Sequence, residues 1–117
     1  LVNQEDSAWP NTFRQSWLIP AVEHIQASRY RREAMHKMYE WMNESFDGFL
    51  TPGYSDLLLI ANNTGQPATV QRTGMLNGKP LATTIIGRLF DESTILRMSM
   101  ALEAELDVSS IRPSVSS

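Results

Sequence analysis

Two histidines, two lysines and a scatter of carboxylates and serines are what this 117-residue chain offers for chemistry. His24 and His36 fall on one helical stretch, about 120° apart around its axis at 100° per residue. They cannot share a metal ion without help from other elements. Glu40 and Glu44 stand one turn apart, where a like-charged pair on an exposed helix face mildly destabilises. Acid–base work needs two carboxylates across a cleft, and this spacing does not create one. Ser7, Ser16, Ser28, Ser45, Ser55, Ser93 and Ser99 lack activating surroundings: there is no Gly-x-Ser-x-Gly elbow and no Ser-x-x-Lys, and the lysines are Lys37 and Lys79 alone. The segment NNTGQPA, residues 62–68, has one glycine and no Gly-Lys-Ser/Thr. It also runs from helix to strand, where a phosphate loop runs from strand to helix. These residues assemble no catalytic centre and no metal site, and they imply no cofactor.

Composition narrows the classes further. With 42% apolar and 20% charged residues the chain can bury a core and is one domain's worth or less. Its net charge of −3 argues against phosphate-backbone binding, and the one basic cluster, Arg29, Arg31 and Arg32, reads as a solvated helix face. We therefore expect no nucleic-acid partner. No apolar run approaches a membrane span, so no membrane association is expected either. The chain has no cysteine, which excludes disulfides, thiolate metal sites and cysteine nucleophiles without identifying a compartment. It opens on Leu1 with no signal-peptide pattern, and we expect a piece of a longer chain.

The elements that would position these residues follow from pattern. Residues 1–19 read as an irregular arm carrying Trp9, Phe13 and Trp17, with a short helix near Asn11 to Ser16. Pro20 suits the first turn of a helix. Val22, Ile25, Met35, Met38, Met42 and Phe46 recur at helical spacing opposite Glu23, Arg31, Glu33, Glu40 and Glu44, which predicts a long amphipathic helix over about 21–45 that Gly48 closes. Phe49 to Thr51 is a short buried strand ended by Pro52-Gly53. Ser55 or Asp56 can cap a short helix through Leu57 to Ile60, apolar on most sides and so expected inside something. Ala68 to Thr73 and Leu81 to Gly87 read as strands, joined by a hairpin at Asn77-Gly78. Asp91 caps a last helix with the stripe Ile95, Met98, Leu102 and Leu106. The chain thus divides into the arm (1–19), one α/β portion (20–107) and a flexible tail (108–117).

Read together, these segments resemble the C-terminal part of the amidase signature family. The resemblance is carried by FLTP (Phe49 to Pro52), NNTGQPA, NGKPLATTIIGR and LFDESTILRMSMALEAEL, in that order. WPNTFRQSWLIPAVEHIQASRYR upstream and Arg112-Pro113 in the tail fit as well. The motif residues in structural roles are Thr51, Pro52, Gly65, Pro67, Asn77, Gly78, Gly87 and Arg88. One departure is the short connection from Pro52 to Asn62, where many members carry a long insertion that helps shape substrate access.

The resemblance implies a fragment of a large mixed sheet flanked by helices: long helix, short strand, short helix, β-hairpin, last helix. It also implies hydrolysis of amide C–N bonds by a Ser–Ser–Lys centre, whose residues belong to the N-terminal half of such enzymes and have no counterpart here. Neither Lys37 nor Lys79 matches the general base. The corner at NNTGQPA lies near the substrate pocket in these enzymes, so Asn62 and, one position off the family spacing, Asp56 are the candidate pocket-wall residues. Asn62 is also placed to hold that corner through local hydrogen bonds.

Three readings follow. The first is a C-terminal amidase fragment, inactive alone and completed by the missing N-terminal catalytic part of its own chain. The second is a non-catalytic interaction module. The third is a piece of the ammonia-producing component of a tRNA-dependent amidotransferase, although WPNTFR leans toward the amidase branch. Exposed apolar faces on an isolated piece should drive homo-oligomerisation or arm exchange.

Overall fold

The computed structural model describes residues 5, 8–108 and 110–112. Parts of the expected arm and tail, with Ser7 and Pro113, lie outside these. The elements run α1 (Trp9–Ser16), α2 (Ala21–Ser45), β1 (Gly48–Pro52), α3 (Asp56–Thr64), β2 (Ala68–Leu76), β3 (Lys79–Gly87) and α4 (Glu92–Leu106). The chain is therefore α/β, with the element order that the sequence predicts. Contacts divide it into two compact units, residues 1–33 and 34–117, with α2 spanning the division.

The first unit holds α1 and the beginning of α2. Pro10 sits in the first turn of α1, where a missing N–H costs no helical bond. The helix starts two residues earlier than expected because Trp9 joins it, its ring 5.7 Å from that of Phe13 one turn on. Pro20 accepts from the His24 N–H at 3.1 Å and so opens α2 with its carbonyl.

The second unit is built on a three-stranded antiparallel sheet in the order β1-β3-β2. Asn77 and Gly78 both take positive φ, 50° and 75°, as a two-residue hairpin turn with the strand's own twist requires. That turn zips the hairpin to its tip, so β2 and β3 extend beyond their expected limits at Thr73 and Leu81. The register slips between Arg72 and Gly74, a bulge that the sequence did not announce.

β3 is central, and its last four residues, Thr84 to Gly87, are buried on both faces. Alternation sends Ile85 and Gly87 toward α4, where Met98 and Ile95 meet them. Ile86 lies across from Phe49, whose ring is 5.6 Å from Trp41 and 6.0 Å from Phe46 on the opposite face. Thr69 and Ser99 share a 2.6 Å hydrogen bond that pins β2 to α4. The core itself is small: Met42, Ala61, Ile85, Ile86 and Ile95 are its innermost apolar residues.

Several expectations meet a different outcome. The short helix α3 is not enclosed: Ala61 is buried, but Leu59 is 63% exposed, and Leu57 and Ile60 are exposed as well. β1 is likewise only partly buried, with Thr51 inside and Leu50 out. On α2, Met42 is buried while Val22 and Ile25 stay exposed. A core of five residues cannot cover three helices and both sheet faces, so the remaining apolar stripes have nothing in the described residues to pack on. At the other end, Val108 is buried and Arg72 donates to the Val108 and Ile111 carbonyls, so the first residues of the expected tail are tied to β2.

Candidate functional site

The motif residues build one corner, where β1, α3 and the ends of β2 and β3 meet α4. Gly65 takes φ 88° and donates its N–H to the Ala61 carbonyl at 2.8 Å, ending α3 in the left-handed conformation that glycine adopts without strain. Pro67 follows, and its carbonyl accepts from the Gly87 N–H at 3.0 Å. Gly87 is where α4 comes closest. A Cβ there would lie 2.2 Å from Ile95 Cγ2, so only glycine lets the helix seat on the sheet. Arg88 then reaches back to the α2–β1 connection, donating from Nε to the Phe46 carbonyl at 3.1 Å and pairing with Asp47 at 3.1 Å. Gly-Arg is thus a two-residue fastener: the first admits α4, the second ties β3 to the chain before β1.

Thr51 and Pro52 end β1. The Thr51 hydroxyl is buried and hydrogen-bonded to Ser55 Oγ at 2.7 Å, so Ser55, at the N-cap of α3, serves β1 rather than the helix amides. Thr84, directly across from Thr51 in the register, is fully buried, and its hydroxyl has no hydrogen-bond partner among the described residues.

The corner at residues 62–68 is held by residues that sequence reasoning does not single out. Asn62 is exposed, and its neighbour Asn63 bonds the Leu59 carbonyl at 2.8 Å. Thr64, buried, donates to the Ile60 carbonyl at 2.8 Å and also contacts the buried Gln66 amide. A hydroxyl has one proton, so with Thr64 donating to Ile60 the Gln66 amide nitrogen must be the donor to Thr64. The signal that could have found this pair is polar: Thr and Gln flanking a helix-ending glycine are well placed to satisfy a buried turn.

Asp56 lies in the first turn of α3 and Asn62 in its last, both exposed. Six residues along a helix leave two side chains about 120° apart around the axis. The structure therefore does not unite them on one face. His36 pairs with Glu40 at 3.3 Å on an exposed surface. Among the described residues no three His, Asp or Glu side chains come together as a metal-holding group, and no helix is long and apolar enough to cross a membrane. The hydroxyl pairs Thr51–Ser55, Thr69–Ser99 and Thr73–Thr83 join hydroxyl to hydroxyl. Neither member of such a pair is a base at neutral pH, so these contacts fasten elements.

One carboxyl is perturbed. Asp91, the N-cap of α4, accepts from the Thr94 hydroxyl at 2.8 Å and the Ser93 hydroxyl at 3.2 Å. The Thr94 bond is the main reason its carboxyl sits below the usual carboxylate range, with Ser93 and the positive charge of Arg97 adding to it. Its role is to start α4, beside the corner just described.

No protein-family model matches this chain, and no solved structure matches it. Curated proteins do. The glutamyl-tRNA(Gln) amidotransferase A subunit of Halalkalibacterium halodurans is 37% identical over 75 residues, which are 63% of this chain and 16% of that protein. The protein of the same name from Bacillus licheniformis is 40% identical over 65 residues, 55% of this chain and 13% of its own length. That of Lacticaseibacillus casei is 41% identical over 54 residues, 45% of the chain and 11% of the protein. The matched stretch thus spans at most about a sixth of these relatives' length. All three carry the name of the amidotransferase branch, whereas the WPNTFR segment leans toward the amidase branch. Identity near 40% over about half of the chain makes it a relative of the C-terminal part of the amidase signature family.

Proposed function

We propose that this chain is the C-terminal portion of an amide-cleaving enzyme of the kind found among amidases and the A subunits of amidotransferases. Its part is to complete the sheet and one wall of the pocket. The observation that carries this is the corner itself: Gly65, Pro67, Gly87 and Arg88, the residues of the resemblance, each hold a neighbouring element in place. They serve as scaffold and leave the covalent chemistry to residues elsewhere.

In the whole enzyme a serine hydroxyl adds to the amide carbonyl carbon, and its proton passes through a second serine to a lysine. Backbone N–H groups stabilise the oxyanion. The C–N bond then breaks, the nitrogen leaves as ammonia with the returned proton, and water hydrolyses the acyl ester to the acid. No step runs through Lys37 or Lys79. Asp56 and Asn62, exposed on α3, are the pocket-wall residues of this reading, with Asp56 attracting a substrate amino group.

The test begins upstream of Leu1. The coding sequence should continue in frame through a Gly/Ser-rich segment and an earlier lysine, and the whole protein should release ammonia. Release from glutamine in preference to simple amides would place it in the amidotransferase branch, and the reverse in the amidase branch. In the whole protein Asp56→Asn should raise KM about ten-fold for an amine-bearing substrate, the loss of one charge-assisted contact, and leave kcat unchanged. A start codon just before Leu1 would instead support the interaction module. Ammonia release by the 117-residue chain alone, abolished by substituting one of its serines, would overturn the proposal.

A further inference from the structure

The most exposed aromatic side chains of the first unit sit on one short helix. Trp9 and Phe13, 73% and 61% exposed, are one turn apart with their rings already in contact. Trp17 follows at the end of the helix, 85% exposed. Rings held this way lose little freedom on docking, and helices that lie in grooves use anchors at this spacing. The second unit has a matching groove. Between α2 and α3 lies an open hollow of about 350 Å³, lined by Ala34, Lys37, Met38, Trp41 and Ile60. Its walls are nearly all apolar, and Trp41 and Ile60 are about half exposed within it.

Charge gives the pairing a direction. Along α2 the groove has Lys37 toward one end and Glu44, about two turns further, beyond Trp41. The arm carries the opposite order: Glu5 precedes α1, and Arg14 lies in its last turn. Laid parallel to α2, the arm brings its acidic end to Lys37 and its basic end to Glu44. We propose that α1 docks in this groove on a second copy of the chain, and that the exchange is reciprocal. The same residues provide both the anchor and the groove, so two copies close a two-fold dimer with two identical contacts. This deepens no enzymatic assignment and stands or falls apart from it.

The experiment is sedimentation of the 117-residue chain across a concentration range, with circular dichroism to establish that each variant keeps its helices. A concentration-dependent dimer is expected. Phe13→Glu in the arm and Ile60→Glu in the groove, both at exposed positions, should each weaken association more than ten-fold. Mixed together, these two variants should associate better than either alone, since the mixture restores one intact arm–groove contact per pair. A wild-type monomer at all concentrations overturns the proposal, including the case in which Trp9 and Trp17 are shielded by the arm folding onto its own chain. So does a dimer indifferent to both substitutions, or a mixture no better than its parts.

Discussion

The β3–α4 junction and helix α3 are neighbours in one small unit, yet they are finished to different degrees. At the junction the facing apolar side chains have partners: Ile85 and Ile86 are buried, Ile95 covers Gly87, and Arg88 bonds back across the chain. Helix α3 carries a run of four large aliphatic residues and buries mainly Ala61 and Thr64, leaving Leu57, Leu59 and Ile60 open. Both regions are rich in large aliphatic residues, so hydrophobicity alone does not explain the contrast. The junction draws its partners from this chain, whereas most of α3 faces away from what the described residues provide. A side chain's own polarity sets what burial would yield, and the supply of neighbours sets whether burial happens.

The comparison can be broken most forcefully at Gly87. Gly87→Ala puts a methyl group into Ile95, and with no room to yield the substitution should cost about 3 kcal/mol by chemical denaturation. Adding Ile95→Ala should recover part of that loss, and if it recovers none the close approach of α4 is not the cause. Thr84→Val comes next, with the opposite sign. It replaces a buried hydroxyl that lacks a partner, so thermal unfolding should show a gain of about 1 kcal/mol, and a loss would mean that the hydroxyl is bonded after all.

The open region should respond far less. Leu59→Ser on exposed α3 should change stability by less than ~0.5 kcal/mol while reducing self-association or dye binding to apolar surface. A loss of several times that amount would show α3 to be packed in solution. The smallest effect concerns Asp91. Its carboxyl is held below the ordinary value in the folded chain, so its contribution is complete at neutral pH and fades as pH falls through the folded value. Thr94→Val should flatten this acid limb slightly. The group is exposed, so the change should be visible as a shift in the acid midpoint and hardly at all at pH 7.

Local chemistry was the legible part. Asn77-Gly78 takes two positive φ angles, which few other dipeptides tolerate, and the hairpin stands where that pair predicts it. Gly65 ends α3 for the same kind of reason. The long helix was readable because no glycine or proline interrupts residues 21–45. At the candidate site the motif positions were legible from the resemblance, but their jobs were not. Nothing local to Gly87 says that Ile95 will stand above it, or that Arg88 will seek the Phe46 carbonyl. Asn62 is the corner residue that local rules favour, yet Thr64 with Gln66 holds the turn, because which polar group turns inward depends on where the helix axis ends.

By itself, then, the chain's order of residues determined helix, strand and turn identities, since backbone preferences and capping act over a few positions. It also determined that a long apolar helix face and a five-residue apolar run would need cover. Only the tertiary structure decided which of those surfaces found it. Packing between segments far apart in sequence is a competition for limited neighbours, and in this chain α4 and β3 obtained them while α3 and the aromatic arm did not.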